Sequence, residues 1–279
     1  MSEPTLPPQG DYADCANGYR MHYMDRGEGP AVVFLHGSGP GASGHSNFKG
    51  NYPVFVQQGY RCLVLDLVGF GYSDKPEDRD YPLDFFVECV KQTLDAAGVE
   101  RCAVVGNSLG GAVAVGLALD YPELVEKLIL MAPGGMSERD EYLAMPGMQK
   151  MFEVYMSEGG LTTDSMRELF ETGLVHNPSH ISDELLTERI HVMEMMNSQV
   201  TLTMDIPYLP ERLGDLRCPA LVFWGSNDRM MPDSGLLATM HHCPNMKMIV
   251  LSECGHWAMV EHEALFNREC LAFLDSGIT

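Results

Sequence analysis

The chain has 279 residues, 45% of them apolar and 20% charged, and carries a formal net charge of −21. That length suits one large α/β domain with an insertion rather than several independent domains, and the acidic balance disfavours nucleic acid and anionic membrane, both of which are bound through basic surface. An anionic small molecule would also be repelled at long range, so it would need a local, desolvated cation to hold it.

In chain order, Tyr19–Arg26 reads as a relatively polar strand near an edge, followed by an apolar strand over Ala31–Leu35. That strand runs into Leu35-His36-Gly37-Ser38-Gly39-Pro40-Gly41. Glycines there let the backbone approach a substrate, and the Ser38 N–H is a candidate oxyanion donor. A phosphate-binding loop is the competing reading, and it fails because no G-K-[ST] follows. Arg61–Leu65 is the next apolar strand. Asp66 follows it within a D-x-x-G-x-G-x-S turn and is read as structural. A helix is predicted over Phe85–Ala97 and a strand over Cys102–Gly106.

That strand ends in Gly106-Asn107-Ser108-Leu109-Gly110, which leads into a helix over Ser108–Tyr121. A serine between two glycines at a strand-to-helix turn is the signature of an exposed nucleophile, because side chains at the glycine positions would clash. The same turn sets the Leu109 N–H at a helix N-terminus, where it can donate to a developing oxyanion. A strand at Lys127–Met131 follows, and there the strand–helix alternation breaks. Between Pro133 and Pro210 the chain reads as helical and holds ten of its 20 methionines. We assign 135–209 as a helical cap and 1–134 with 210–279 as the core. The methionines suit either plain helix packing or a pliable apolar roof over a cavity.

Within a helix predicted over Asp183–Asn197, Leu186, Arg189, Ile190 and Met193 share one face. A guanidinium on an apolar face must be paired with a carboxylate or must await an anion, and periodicity leaves both open. The alternation resumes with Ala220–Trp224, a helix over Asp233–His242, a strand over Lys247–Leu251 and a helix over Glu261–Leu274. The apolar strands, Lys247–Leu251 included, are read as buried, and such strands alternating with helices argue for a mostly parallel central sheet covered on both faces.

Such sheets put functional groups at the carboxyl ends of strands. Asp228 follows Ala220–Trp224 and His256 follows Lys247–Leu251, so the order is Ser108, Asp228, His256, as expected of the α/β-hydrolase fold. No apolar run reaches membrane-spanning length, and Met1-Ser2-Glu3-Pro4 lacks the marks of a signal peptide. The eight cysteines are scattered, with no C-x-x-C and no zinc-type spacing. These features predict a cytoplasmic protein that needs no metal.

Taken together, the residues resemble those of the meta-cleavage product hydrolases, carbon–carbon bond hydrolases of the α/β-hydrolase fold from the bacterial breakdown of aromatic compounds. The elements that carry the resemblance are His36-Gly37-Ser38-Gly39-Pro40-Gly41 with Ser46-Asn47, Gly106-Asn107-Ser108, Glu184-Leu185-Leu186-Thr187-Glu188-Arg189 and Gly255-His256-Trp257 with Glu261-His262 and Phe266-Asn267-Arg268. It implies that Arg189 binds the carboxylate of a 2-hydroxy-6-oxo-hexa-2,4-dienoate. It also implies that Gly37, Gly39, Asn47, Asn107 and Trp257 line the site, and that Ser38 and Leu109 form the oxyanion hole. The products implied are 2-hydroxypenta-2,4-dienoate and a carboxylic acid, made without a cofactor by a homo-oligomeric enzyme. Leu109 stands where similar enzymes more often carry methionine or phenylalanine. The rival readings are a serine esterase or enol-lactonase, which would have no use for an inward Arg189, and a ligand receptor on the same fold. A dehalogenase would need an aspartate at the elbow.

Overall fold

A computed structural model describes residues 9–156 and 161–276. The apolar runs form strands β1 (Asp11–Asp14), β2 (Arg20–Arg26), β3 (Ala31–Leu35), β4 (Arg61–Leu65), β5 (Tyr81–Pro82), β6 (Cys102–Asn107), β7 (Val125–Met131), β8 (Met204–Asp205), β9 (Ala220–Gly225) and β10 (Met246–Leu251). Eight of them make one sheet in the order β1-β2-β4-β3-β6-β7-β9-β10, while β5 and β8 pair separately. β1, β2 and β4 are joined antiparallel, and every other pair in the large sheet is parallel. The sheet is therefore mostly parallel, as expected, and its central strands are apolar throughout because helices cover both faces.

The helices are α1 (Gly44–Phe48), α2 (Tyr52–Gln57), α3 (Leu83–Ala96), α4 (Leu109–Asp120), α5 (Arg139–Leu143), α6 (Pro146–Tyr155), α7 (Thr163–Leu169), α8 (Asp183–Met193), α9 (Gln199–Thr203), α10 (Asp233–His242), α11 (Ala258–Glu261) and α12 (Glu263–Asp275). α4 is buried from Leu109 to Ala118, so nearly every side of it is apolar. α5 to α9 all fall between β7 and β9, where the alternation was expected to break. A π-helical turn, Phe170–Leu174, extends α7. α8 begins where Ser182 accepts a hydrogen bond from the Leu185 N–H at 3.1 Å, with Asp183 and Glu184 in its first turn to complement the helix dipole.

Several boundaries differ from expectation for physical reasons. β10 is an edge strand rather than a buried one, with Val250 52% exposed, because among the described residues no strand pairs beyond it in the sheet. β1 was not foreseen, since only Ala13 of its four residues is buried. The last helical stretch is broken at His262 into α11 and α12. The helix expected to reach Asn197 ends at Met193, and its buried stripe is Leu185, Leu186, Arg189 and Val192, turned slightly from the face predicted.

Candidate active site

β6 delivers Ser108 into the turn before α4. Ser108 has φ 55° and ψ −118°, a strained conformation for a residue with a Cβ. Three bonds hold it there: its N–H donates to Met131 O at 3.0 Å, and its carbonyl accepts from the N–H groups of Ala112 at 3.1 Å and Gly134 at 2.8 Å. A Cβ at Gly110 would run into the backbone of Leu35 and His36, so only glycine lets α4 start this close to β3. The result lifts the Ser108 side chain off the carboxyl end of the sheet and aims the first N–H groups of α4 towards it.

His256 follows β10, and its Nδ1 lies 2.8 Å from Asp228 Oδ2, with both side chains almost wholly buried. The other carboxylate oxygen, Oδ1, accepts from the N–H groups of Met230 at 2.7 Å and Met231 at 2.9 Å. The acid is thus held at both oxygens, which fixes the imidazole with Nε2 outward. Ser108 and His256 line one cavity. Among the described residues Ser108 Oγ forms no hydrogen bond, a looseness common before substrate tightens such a pair.

The loop after β3 is anchored from below by His36. This imidazole bonds Gly37 O through Nδ1 at 2.7 Å and accepts the Leu67 N–H through Nε2 at 3.0 Å, an arrangement that suits only the neutral ring. Burial pushes its pKa down to about 4. The phenol of Tyr155 on α6 donates to Ser38 O at 3.2 Å, tying the loop to the helical segment above it. Asp66 does not reach this site. It bonds His22 Nδ1 at 2.9 Å and accepts from the N–H groups of Gly44 and Tyr72, which agrees with its structural reading.

Arg189 is 1% exposed, yet among the described residues it makes no ion pair. Its Nη2 donates to Asn47 Oδ1 at 2.6 Å and its Nη1 to Pro40 O at 3.4 Å, while Nε has no acceptor. The guanidinium carbon sits 5.1 Å from the Trp257 ring centre and 5.6 Å from that of Phe170. These aromatic faces recover part of the desolvation cost, by about 1–2 kcal/mol each at most. A buried cation without a counter-ion costs several kcal/mol, so the site is unbalanced until an anion arrives. Burial lowers the Arg189 pKa to about 10, and it remains charged at neutral pH.

The neighbouring Glu188 points the other way, bonding Lys49 Nζ at 2.9 Å. The Arg189 backbone can lie this close to the loop only because residue 41 is glycine, with φ +63°; a Cβ there would collide with the Arg189 carbonyl. Asn47 Nδ2 in turn donates to Asn107 Oδ1 at 3.4 Å, so a short amide chain runs from the guanidinium to the nucleophile's neighbour.

One cavity is lined by Gly37, Ser38, Gly39, Asn47, Asn107, Ser108, Arg189, His256 and Trp257. Asp228 stands behind His256, and the Leu109 side chain faces a second cavity that shares Ser108. Sequence reading missed Met151, Leu174 and Met230, which also line the first cavity, and Tyr155, which braces Ser38. No local signal marks them: helical periodicity says which of Met151, Tyr155 and Leu174 are buried and not what they face, and Met230 sits in a turn with no periodicity. Among the described residues no cluster of His, Cys, Asp and Glu has the makings of a metal site.

Comparison with known proteins identifies the family. The α/β-hydrolase fold family matches residues 30–263. A 2-hydroxy-6-oxononadienedioate/2-hydroxy-6-oxononatrienedioate hydrolase of Comamonas testosteroni is 36% identical over 271 residues, covering 94% of this chain and 93% of its own. A 2-hydroxy-6-oxo-6-phenylhexa-2,4-dienoate hydrolase of Burkholderia cepacia is 36% identical over 270 residues, with 94% and 93% covered. Among solved structures, a meta-cleavage product hydrolase of Pseudomonas fluorescens IP01 is 27% identical and superimposes with a TM-score of 0.82, covering 95% of this chain and 97% of its own. The chain therefore belongs to the meta-cleavage product hydrolases, the carbon–carbon bond hydrolases of the α/β-hydrolase fold.

Proposed function

We propose that this enzyme cleaves the C5–C6 bond of a 2-hydroxy-6-oxo-hexa-2,4-dienoate, giving 2-hydroxypenta-2,4-dienoate and a carboxylic acid. The observation that carries this reading is Arg189, a buried guanidinium without a carboxylate partner among the described residues, in the same cavity as Ser108 and His256. An ester hydrolase has no need of such a charge, whereas a dienoate supplies the missing anion.

In this reading Arg189 and Asn47 hold the substrate carboxylate, with Asn107, Gly37, Gly39 and Trp257 around the dienoate. The dienol first ketonises, losing its C2 hydroxyl proton and taking one at C5. Ser108, deprotonated by His256 with Asp228 orienting the ring, then adds to the C6 carbonyl. The Ser38 and Leu109 N–H groups hold the resulting oxyanion; each such donor is worth about 10²–10³ in rate. As the adduct collapses, the C5–C6 electron pair runs through C4 and C3 onto the C2 oxygen, and the proton that His256 took from Ser108 passes to that oxygen, which leaves the imidazole neutral. Water, activated by His256, then releases the acid from Ser108. Residues 135–209 act as a cap that carries Arg189, and residues 1–134 with 210–279 form the core. A reducing compartment and self-association belong to the same reading, supported by eight unpaired buried cysteines and by the exposed Leu237, Met240 and Val250.

The test is direct. A yellow 2-hydroxy-6-oxodienoate should lose its visible absorbance on adding the protein, with stoichiometric release of the C6-derived acid. Rapid hydrolysis of nitrophenyl esters with dienoates left intact would reject the proposal.

A further inference from the structure

Ser108 opens onto two cavities of different character. The one holding Arg189 is narrow, with about 20 Å³ of space, while the second extends from Leu109 beneath α5 and α6 and offers about 420 Å³. Of the described residues only Ser38, Ser108 and Met151 belong to both, so a substrate whose carbonyl sits at Ser108 must extend one arm into each. The wide chamber is walled largely by Met136, Met148, Met151, Tyr142, Phe152 and Ile206. Among its described lining residues the single cation is Arg139, which is 74% exposed at the rim and already faces Asp205 at 3.6 Å. Glu138 adds a second carboxylate beside it.

Resting on the dienoate reading, we infer that the C6 substituent of the substrate is a bulky, uncharged, apolar group, aryl or comparably large alkyl, and that a substituent ending in a carboxylate is rejected. With the substrate's own carboxylate on Arg189, the C6 arm is the one that enters the wide chamber. An apolar arm there gains by leaving water, and the methionine walls adapt to its shape. A carboxylate arm would lose its hydration against the methionine walls, and at the rim it would meet the carboxylates Glu138 and Asp205, with no unpaired cation among the described lining residues. Overall similarity does not decide this point. Relatives named for a dioate and for a 6-phenyl substrate are both 36% identical to this chain.

The test compares kcat/KM for the 6-phenyl dienoate, its 6-methyl analogue and 2-hydroxy-6-oxononadienedioate. The phenyl substrate should lead, with the dioate lower by about 100-fold or more, the scale on which an unpaired buried charge discriminates. The variant Ile206→Arg, at a half-buried position where a long side chain can bring its charge to the chamber, should shift the dioate-to-phenyl ratio upward by at least about tenfold. A dioate rate equal to or above that of the phenyl substrate would overturn the inference and leave the dienoate reading intact. Failure on all three dienoates, with nitrophenyl esters still hydrolysed, would overturn both.

Discussion

The carboxyl edge of the sheet and the helical segment between β7 and β9 contribute to the same cavity in different ways. At the sheet edge, chemistry is fixed by backbone: Ser108 by its strained turn, Asp228 by two N–H groups and His256 by Asp228. In the helical segment, Met151 and Leu174 hold their places through side-chain packing, and Arg189 through its bonds to Asn47 and Pro40 and the rings beside it. The difference implies that changes at the sheet edge abolish turnover of every substrate, whereas changes in the helices alter which substrate is turned over.

The sharpest way to break that contrast is at the nucleophile. Ser108→Ala should lower kcat by about 10⁴-fold or more on dienoate and ester alike, with an unchanged circular dichroism spectrum. A loss confined to one substrate class would mean that the sheet edge also selects. Asp228→Asn should cost about 10³–10⁴ in kcat through the wrong imidazole tautomer, and steady-state kinetics on both substrates would show equal losses. Tyr155→Phe removes one hydrogen bond between α6 and the loop after β3. About 1 kcal/mol is at stake, so kcat should fall roughly fivefold, while a loss near 10³ would give the helical segment a direct part in catalysis.

His36, beneath the loop, acts on folding stability rather than on turnover. Its buried ring stays neutral down to about pH 4, whereas the unfolded chain takes up that proton near 6.5. Folding stability is therefore full above pH 6.5 and falls as pH drops towards 4, by up to about 3 kcal/mol. Urea midpoints across that range should decline in the wild type, and His36→Gln should decline less. Parallel slopes would remove His36 from the account.

Sheet-edge residues were legible in the sequence because strand ends and glycines leave a pattern in the chain itself. Gly106-Asn107-Ser108-Leu109-Gly110 located the elbow, and the positions of Asp228 and His256 after apolar runs located their turns. Arg189 was legible only as a question, since whether a carboxylate meets it depends on packing across the whole helical segment. Tyr155 and Leu174 left no mark at all, for their pattern is that of ordinary helix residues, and Met230 lies in the turn between β9 and α10, where no periodicity applies. β10 was misjudged as buried because edge and central strands share apolar composition, and β1 was overlooked because one inward alanine is too weak a signal.

The central claim is that Arg189 serves a substrate carboxylate, and the most direct measurement is a ratio. kcat/KM for a 2-hydroxy-6-oxodienoate and for a neutral nitrophenyl ester should be determined for the wild type and Arg189→Ala. The account predicts a loss of about 10²–10³ on the dienoate and at most a few-fold on the ester, because only the dienoate loses a buried ion pair. Equal losses on both substrates would contradict it and reduce Arg189 to a support for the fold.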